Sequence, residues 1–248
     1  MNPILLITGG SRGIGAATAL LAAQRGYAVA VNYTSNEKAA DDVVRQIRAS
    51  GGNAITVQAN VAIESQVLAM FDKIDDTLGR LTALVNNAGV VDVAARVDEM
   101  SVARIKRIFD INVLGGFLCA REAVLRMSTR HGGAGGAIVN VSSVAARLGG
   151  ASQYVDYAAS KGAIDAFTVG LAKEVALEGI RVNAVRPGII ETDIHASGGQ
   201  PERAHQMAPM VPMHRPGSAL EVAQAIVWLL SAESSYTTGS LLDVTGGR

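Results

Sequence analysis

A tyrosine and a lysine four residues apart, in Tyr157-Ala-Ala-Ser-Lys161, are suited by type and spacing to move a proton. Apolar residues at Ile164, Phe167 and Leu171 continue from them at helical spacing, which predicts the first turns of a helix. Side chains four apart share one helix face, with about 5–6 Å between their Cβ atoms. A phenol beside an ammonium can give and take a proton near neutral pH. A free phenol has a pKa of about 10, and lowering it by about three units takes roughly 4 kcal/mol. A cation about 4 Å away at an effective dielectric of about 20 supplies about that much before opposing desolvation. Lone pairs at this spacing also occur on ordinary amphipathic helices, so the partners must be sought elsewhere in the chain.

The bulk of the sequence permits such a site. With 248 residues, 49% of them hydrophobic, and 27 glycines, the chain has the size and turn content of one large α/β domain. Lys plus Arg and Asp plus Glu both number 22, which leaves no electrostatic footprint for nucleic acid or an anionic membrane. Cys119 stands alone within GGFLCAREAV, which predicts a packed small residue and excludes a disulfide framework. The chain begins without a basic leader and no apolar run approaches about 18 residues, so a soluble, cytoplasmic protein is expected.

Strands and helices alternate along the chain. Pro3 to Thr8 is a short apolar run that ends in Gly9-Gly10-Ser11-Arg12-Gly13-Ile14-Gly15, where a helical pattern begins and continues to Gly26. Glycines there allow a sharp turn and let a pyrophosphate approach the helix N-terminus, where free N–H groups and the dipole favour anions. The spacing is G-x-x-x-G-x-G, one residue longer overall than G-x-G-x-x-G. Further strands are predicted at Ala28 to Val31, Ala54 to Val57, Leu81 to Val85, Ala137 to Val141, Arg181 to Val185 and Ser240 to Val244. The pattern predicts a doubly wound seven-stranded parallel sheet with helices on both faces and its ligand crevice at the strand C-terminal ends. Asn60-Val61, Asn86-Asn87-Ala88-Gly89, Ser142-Ser143 and Pro187-Gly188 all fall at such ends.

One long helix is predicted from about Ser101 to Arg126, with Asn112 near its middle; a buried Asn there needs hydrogen-bond partners. Residues 189–215 change character, with glycines, prolines and Met207, Met210 and Met213, and read as a lid over bound ligand. The methionines are expected to pack rather than recognise substrate. His195, His205 and His214 show no metal-ligand spacing, and no metal site is expected. No second domain is evident across 1–248.

Taken together, TGGSRGIG at 8–15, NNAG at 86–89, Asn112, Ser143, YAASK at 157–161 and PGIIET at 187–192 resemble the short-chain dehydrogenase/reductase family over essentially the whole chain. The segment around Ser143 and Tyr157 is similar to its bacterial glucose-dehydrogenase-like and 3-oxoacyl-reductase-like branch. The Ser143–Tyr157 spacing is one residue longer than in many members, which leaves Ser142 as the alternative serine.

The resemblance implies an NAD(P)-dependent oxidoreductase that interconverts a carbonyl and an alcohol. It implies Tyr157 as general acid/base, Ser143 as hydrogen-bond donor to the substrate oxygen, Lys161 on the nicotinamide ribose and Asn112 in a water relay. It assigns cofactor contacts to Gly9, Ser11, Arg12, Gly13, Ile14, Gly15, Asn32, Asn60, Val61, Asn87, Ala88, Gly89, Tyr157, Lys161, Pro187, Gly188, Ile190 and Thr192. Asn32 stands where NAD enzymes carry an acid for the adenosine ribose. With no carboxylate seen there and with Arg12 and Lys38 nearby, NADP is preferred and NAD possible. Ala145, Ala146, Arg147, Tyr154 and Ile189 are expected to line the substrate pocket. The substrate is read as a small carbonyl or alcohol such as a sugar or ketone. A 3-oxoacyl-[acyl-carrier-protein] reductase is the alternative, disfavoured by Glu178 where a basic residue would dock the carrier, although Arg126 and Arg130 remain. A non-catalytic dinucleotide-sensing module is the third reading. A homotetramer is implied by the resemblance alone.

Overall fold

The computed structural model describes residues 2–248, the side chains of His195 and Ser197 excepted. In chain order it contains β1 (Ile4–Ile7), α1 (Gly13–Gln24), β2 (Ala28–Tyr33), α2 (Glu37–Ala49), β3 (Ala54–Gln58), α3 (Glu64–Thr77) and β4 (Ala83–Asn86). Next come α4 (Val102–Phe109), α5 (Gly115–Met127), β5 (Gly136–Val141), α6 (Ala145–Leu148), α7 (Val155–Val175) and β6 (Ile180–Pro187). The chain closes with α8 (Ile194–Ser197), α9 (Arg203–Met207), α10 (Ala219–Leu230) and β7 (Leu241–Val244).

The strands form one parallel sheet in the order β3-β2-β1-β4-β5-β6-β7. Strand side chains alternate between faces, and both faces here are apolar. Leu5, Ile7, Val29 and Val31 pack with Ala19, Ile47 and Ile226 of α1, α2 and α10. Ile4, Leu6, Ala28 and Ala30 pack on the other face with Phe71, Leu118 and Val175 of α3, α5 and α7. The chain reverses its winding between β1 and β4, and that is where a doubly wound sheet opens its crevice.

The long helix expected over residues 101–126 is interrupted. α4 and α5 are joined by one π-helical turn, Asp110–Leu114, which contains Asn112. Two local contacts account for it. Asn112 is drawn into a double hydrogen bond with the backbone of Val90, and Gly115 lies so close to Val61 that an added Cβ would be 2.6 Å from its Cγ2. π-turns of this kind commonly occur at functional positions. β2 and β6 each extend two residues beyond the expected ends, so Asn32 lies inside a strand. Among the described residues no helix is long and apolar enough to cross a membrane.

Candidate active site

The loop after β1 turns sharply because Gly9 and Gly13 take φ of 60° and 54°, values that side-chain-bearing residues rarely adopt. Gly15 has no room for a side chain: an added Cβ would lie 2.5 Å from the Gly9 carbonyl oxygen and 2.6 Å from Asn87 Nδ2. No side chain caps the start of α1, whereas Asn36, Ser101 and Ser218 cap α2, α4 and α10. An uncapped helix start with a glycine cradle in front of it fits the pyrophosphate of a dinucleotide.

That cradle is held by buried polar side chains. Thr8 Oγ1 accepts from the backbone N–H groups of Asn87 and Ala88, each at 3.0 Å. Asn87 Nδ2 donates to the Thr8 and Gly9 carbonyls, both at 2.9 Å. Asn32, only 1% exposed, accepts from Gly9 N at 3.1 Å and donates to the Val57 and Ala59 carbonyls at 3.2 and 3.0 Å. Asn32 is expected at the cofactor ribose; its carboxamide is buried here and joins three loops. Residues 34–38 after β2 are exposed. Glu37 also approaches this point, hydrogen-bonded to the phenol of Tyr33, so a carboxylate lies closer than the β2 end itself suggests. Lys38 is paired with Asp42 at 3.0 Å, while Arg12 is exposed. Asn60 closes an Asx turn onto Ala62 N and Val61 is buried beside Gly115. Ser11 and Ile14 flank Gly13 and are partly buried. Thr192 packs over the loop, 3.4 Å from where a Gly13 Cβ would be, while Gly188 bonds Val244 O and Ile190 is buried.

At the start of α7, Tyr157 hydrogen-bonds Ser143, two residues beyond β5, whose Oγ also accepts from Ala145 N at 3.1 Å. Ser142 is buried and donates to the Lys161 carbonyl at 3.2 Å instead, so the serine facing the phenol is Ser143. Burial pushes the Tyr157 phenol above its ordinary value, and the Ser143 hydrogen bond pulls it down. Lys161, 4% exposed, donates to the Val141 carbonyl at 2.8 Å with its Nζ 5.7 Å from the Tyr157 ring centroid. Burial pushes its ammonium down to about 8, opposed by the Asp165 charge. The expected depression of the phenol by an ammonium about 4 Å away is therefore absent: the lysine turns to a backbone carbonyl and desolvation dominates.

Asn112, 3% exposed, accepts from Val90 N at 2.8 Å and donates to Val90 O and Ser160 Oγ at 3.0 and 3.1 Å. It thereby ties the Asn87-Ala88-Gly89 loop to α7. A Cβ at Gly89 would lie 3.4 Å from Lys161 Nζ and 3.5 Å from Asn112 Oδ1, so a side chain there would crowd both groups. Behind them is a cavity of about 10 Å³ lined by Thr8, Asn86, Asn112 and Lys161 among others, the size of one water. Asn86 Oδ1, buried and without a protein partner, belongs to a residue of its wall. A larger space of about 730 Å³ lies at the opposite end of the sheet, around Pro3, Thr82 and Ile180, and contains none of these residues.

Several residues that hold the site give little warning in the sequence. Asn86, Asn140 and Thr168 form a buried chain through bonds of 3.0 and 2.9 Å, and only the Asn inside the apolar β5 run hints at it. Arg104 and Asp156 form a buried pair at 2.7 Å, and Asp156 also accepts from Tyr157 N at 2.9 Å. Arg186 binds Asp165 at 2.8 Å on the other side of α7. The excursion carries α8 and α9; Met210 and Met213 in it are 65% and 59% exposed, so the expectation that they pack is not met. His205 faces Glu191 at 3.4 Å, the His195 side chain lies outside the described residues, and no cluster of metal-binding side chains occurs among them. Cys119 is fully buried with its thiol pushed up to about 12, which suits packing and not nucleophilic chemistry.

A family model described as Enoyl-(Acyl carrier protein) reductase matches residues 9–248. The chain is 58% identical over 245 residues to "Uncharacterized oxidoreductase YgfF" of Escherichia coli (strain K12), covering 99% of each. It is 36% identical to "3-oxoacyl-[acyl-carrier-protein] reductase FabG" of Staphylococcus aureus (strain Mu50 / ATCC 700699), covering 100% of this chain and 98% of the relative. It is 38% identical to "Glucose 1-dehydrogenase 2" of Bacillus subtilis (strain 168), covering 98% and 93%. A nicotinamide dinucleotide is the cofactor this kinship implies, and the glycine cradle fits one. The chain belongs to the short-chain dehydrogenase/reductase family, in its 3-oxoacyl-reductase-like branch, and is an oxidoreductase acting on CH–OH and C=O groups.

Proposed function

We propose that this protein reduces the carbonyl of a small molecule to a secondary alcohol, or the reverse, with Tyr157 as the proton donor and acceptor. The observation that carries the reading is the Ser143–Tyr157 hydrogen bond set beside a buried Lys161. A bound nicotinamide supplies or receives the hydride. Tyr157 gives its proton to the carbonyl oxygen as that oxygen becomes a hydroxyl, and takes it back in oxidation. The raised phenol favours the protonated form, which suits the reductive direction. Ser143 donates to the same oxygen. Lys161 and Tyr157 hold the ribose, and Asn112 with the water-sized cavity supports a proton path beyond Lys161.

Gly9, Ser11, Arg12, Gly13, Ile14 and Gly15 hold the pyrophosphate side. Ala88 and Gly89 border the middle of the cofactor, with Asn87 acting through the cradle, and Pro187, Gly188, Ile190 and Thr192 border the nicotinamide. NADPH is the preferred cofactor: Arg12 is exposed and can pair with a 2′-phosphate, while Glu37 is engaged by Tyr33. Residues 189–215 act as the substrate lid. A homotetramer agrees with the exposed Val102, Ile105, Leu114, Phe117 and Leu125 along α4 and α5.

A 3-oxoacyl-[acyl-carrier-protein] reductase is the second reading, favoured by the FabG relative. Acidic neighbours weaken it. Arg126 is held by Asp75 and Glu122 at 2.6 and 3.0 Å, and Glu178 accepts from Ser128, which leaves Arg130 without equivalent basic company. Oxidation of NADPH and NADH by a panel of ketones, aldehydes, sugars and oxoacyl thioesters tests the reading. Turnover of oxoacyl thioesters alone would select the second, and no turnover at all would leave only a dinucleotide-sensing role.

A further inference from the structure

The excursion crosses the site from one side to the other. Thr192 packs over the glycine loop at Gly13, and Gly199 packs against Val93, which an added Cβ would approach to 3.9 Å. α9 then reaches the segment that leads into α7. There Arg203 donates to Gln200 Oε1 and Gln153 Oε1, both at 2.8 Å, with its guanidinium carbon 5.1 Å from the Tyr154 ring centroid. Tyr154 is the residue before α7, one helical turn ahead of Tyr157.

The charge on Arg203 is not neutralised. The other partly buried arginines around α7 each meet a carboxylate: Arg104 meets Asp156 at 2.7 Å and Arg186 meets Asp165 at 2.8 Å. Arg203 meets two neutral amides and an aromatic face, and no carboxylate among the described residues lies within ion-pair distance of it. Glu191 of the same excursion faces His205 instead. A guanidinium has five N–H donors, and two of them are engaged among the described residues. The rest are free to form the paired bonds that a planar carboxylate accepts. An arginine that bonds only neutral groups keeps its full field, and that field grows as a lid excludes water.

Resting on the carbonyl–alcohol reading, we propose that Arg203 receives the carboxylate of the substrate, so that the natural substrates are oxo acids or hydroxy acids whose carboxylate lies several bonds from the reacting carbon. Gln153 and Tyr154 hold the guanidinium in place, and the lid itself delivers the specificity.

The test is reduction of matched pairs, each an oxo acid and its methyl ester with the same carbon skeleton and increasing chain length, by the wild type, R203K and R203Q with NADPH and NADH. In the wild type the best acid exceeds its ester at least tenfold in kcat/KM. R203Q lowers that acid-to-ester ratio tenfold or more, mainly through KM of the acid, and R203K retains part of it. Esters preferred at every chain length, or an acid preference that survives in R203Q, would overturn the role of Arg203. Neutral ketones reduced while no acid is reduced would remove this inference and leave the carbonyl–alcohol reading standing. A wild type that turns over no member of any pair and no neutral carbonyl would remove both. Fluorescence titration with the reduced cofactor shows whether each variant is folded.

Discussion

The floor of the site and the segment proposed as its roof are built differently. In the floor, Thr8, Asn32, Asn87 and Asn112 are buried or partly buried, and each joins segments far apart in sequence through short hydrogen bonds. In the roof, residues 189–215 form two short helices with exposed methionines and an exposed His205–Glu191 contact. Breaking a buried polar link leaves its partner unsatisfied at about 1–3 kcal/mol, whereas exposed substitutions usually stay within about 0.5 kcal/mol. The floor is therefore rigid and suited to chemistry that relatives named for 3-oxoacyl-[acyl-carrier-protein] and for glucose have in common. The roof is free to vary, and it carries the unneutralised Arg203.

The sharpest way to isolate the floor is Tyr157→Phe. Turnover should fall by about a thousandfold or more, the scale of losing a positioned proton donor and its oriented hydroxyl, while cofactor titration remains near wild type. Substantial residual turnover would take the proton role away from Tyr157.

Next in size is the ion pair under the start of α7. Arg104→Met strands the Asp156 carboxylate, 3% exposed in its side chain. Removing one partner of a buried pair costs about 3–5 kcal/mol, read from denaturant unfolding. A loss under about 1 kcal/mol would show that solvent reaches the pair more freely than its burial implies.

Asn32→Ala should be milder, about 1–3 kcal/mol, since it frees the Val57 and Ala59 carbonyls and Gly9 N at once. It should also weaken cofactor binding through the glycine loop. Unchanged binding with lower stability would confine Asn32 to the sheet.

A pH series separates the two regions without mutation. The Lys161 pKa is lowered on folding to about 8. Between that value and the unfolded one, near about 10.4, the unfolded chain holds more protons. This group's contribution to stability therefore rises with pH from about 8 upward, and the buried ammonium lowers stability below it. Cofactor affinity that depends on the charged lysine should fall across the same range. In calorimetry and titration, Lys161→Met should flatten both trends. The smallest effect belongs to the roof: Met210→Ser and Met213→Ser should each change stability by less than about 0.5 kcal/mol.

Periodicity and composition were enough to reveal the parallel sheet, since most strands are short, largely apolar runs followed within a few residues by glycine, asparagine or serine. They also indicated which loops meet, because a doubly wound sheet sends all its strand ends to one edge. Local pattern says less where side chains chose partners distant in sequence. Asn32 and Asn112 look alike as isolated polar residues, and both are joints between loops. Arg126 looks available and is tied to Asp75 and Glu122. The lysine at a spacing of four turned to a backbone carbonyl, not to the phenol.

The sequence alone determined the order of elements, the glycine turn after β1 and the placing of Tyr157 and Lys161 on one helix face, because local period and glycine conformational freedom act within a few residues. Tertiary structure alone decided that Ser143 and not Ser142 faces the phenol, that a π-turn places Asn112 against Val90, and that Arg203 lies above Tyr154 without a counter-ion. Each of these depends on desolvation and on hydrogen-bond partners between 14 and 50 residues away, and no local pattern encodes either.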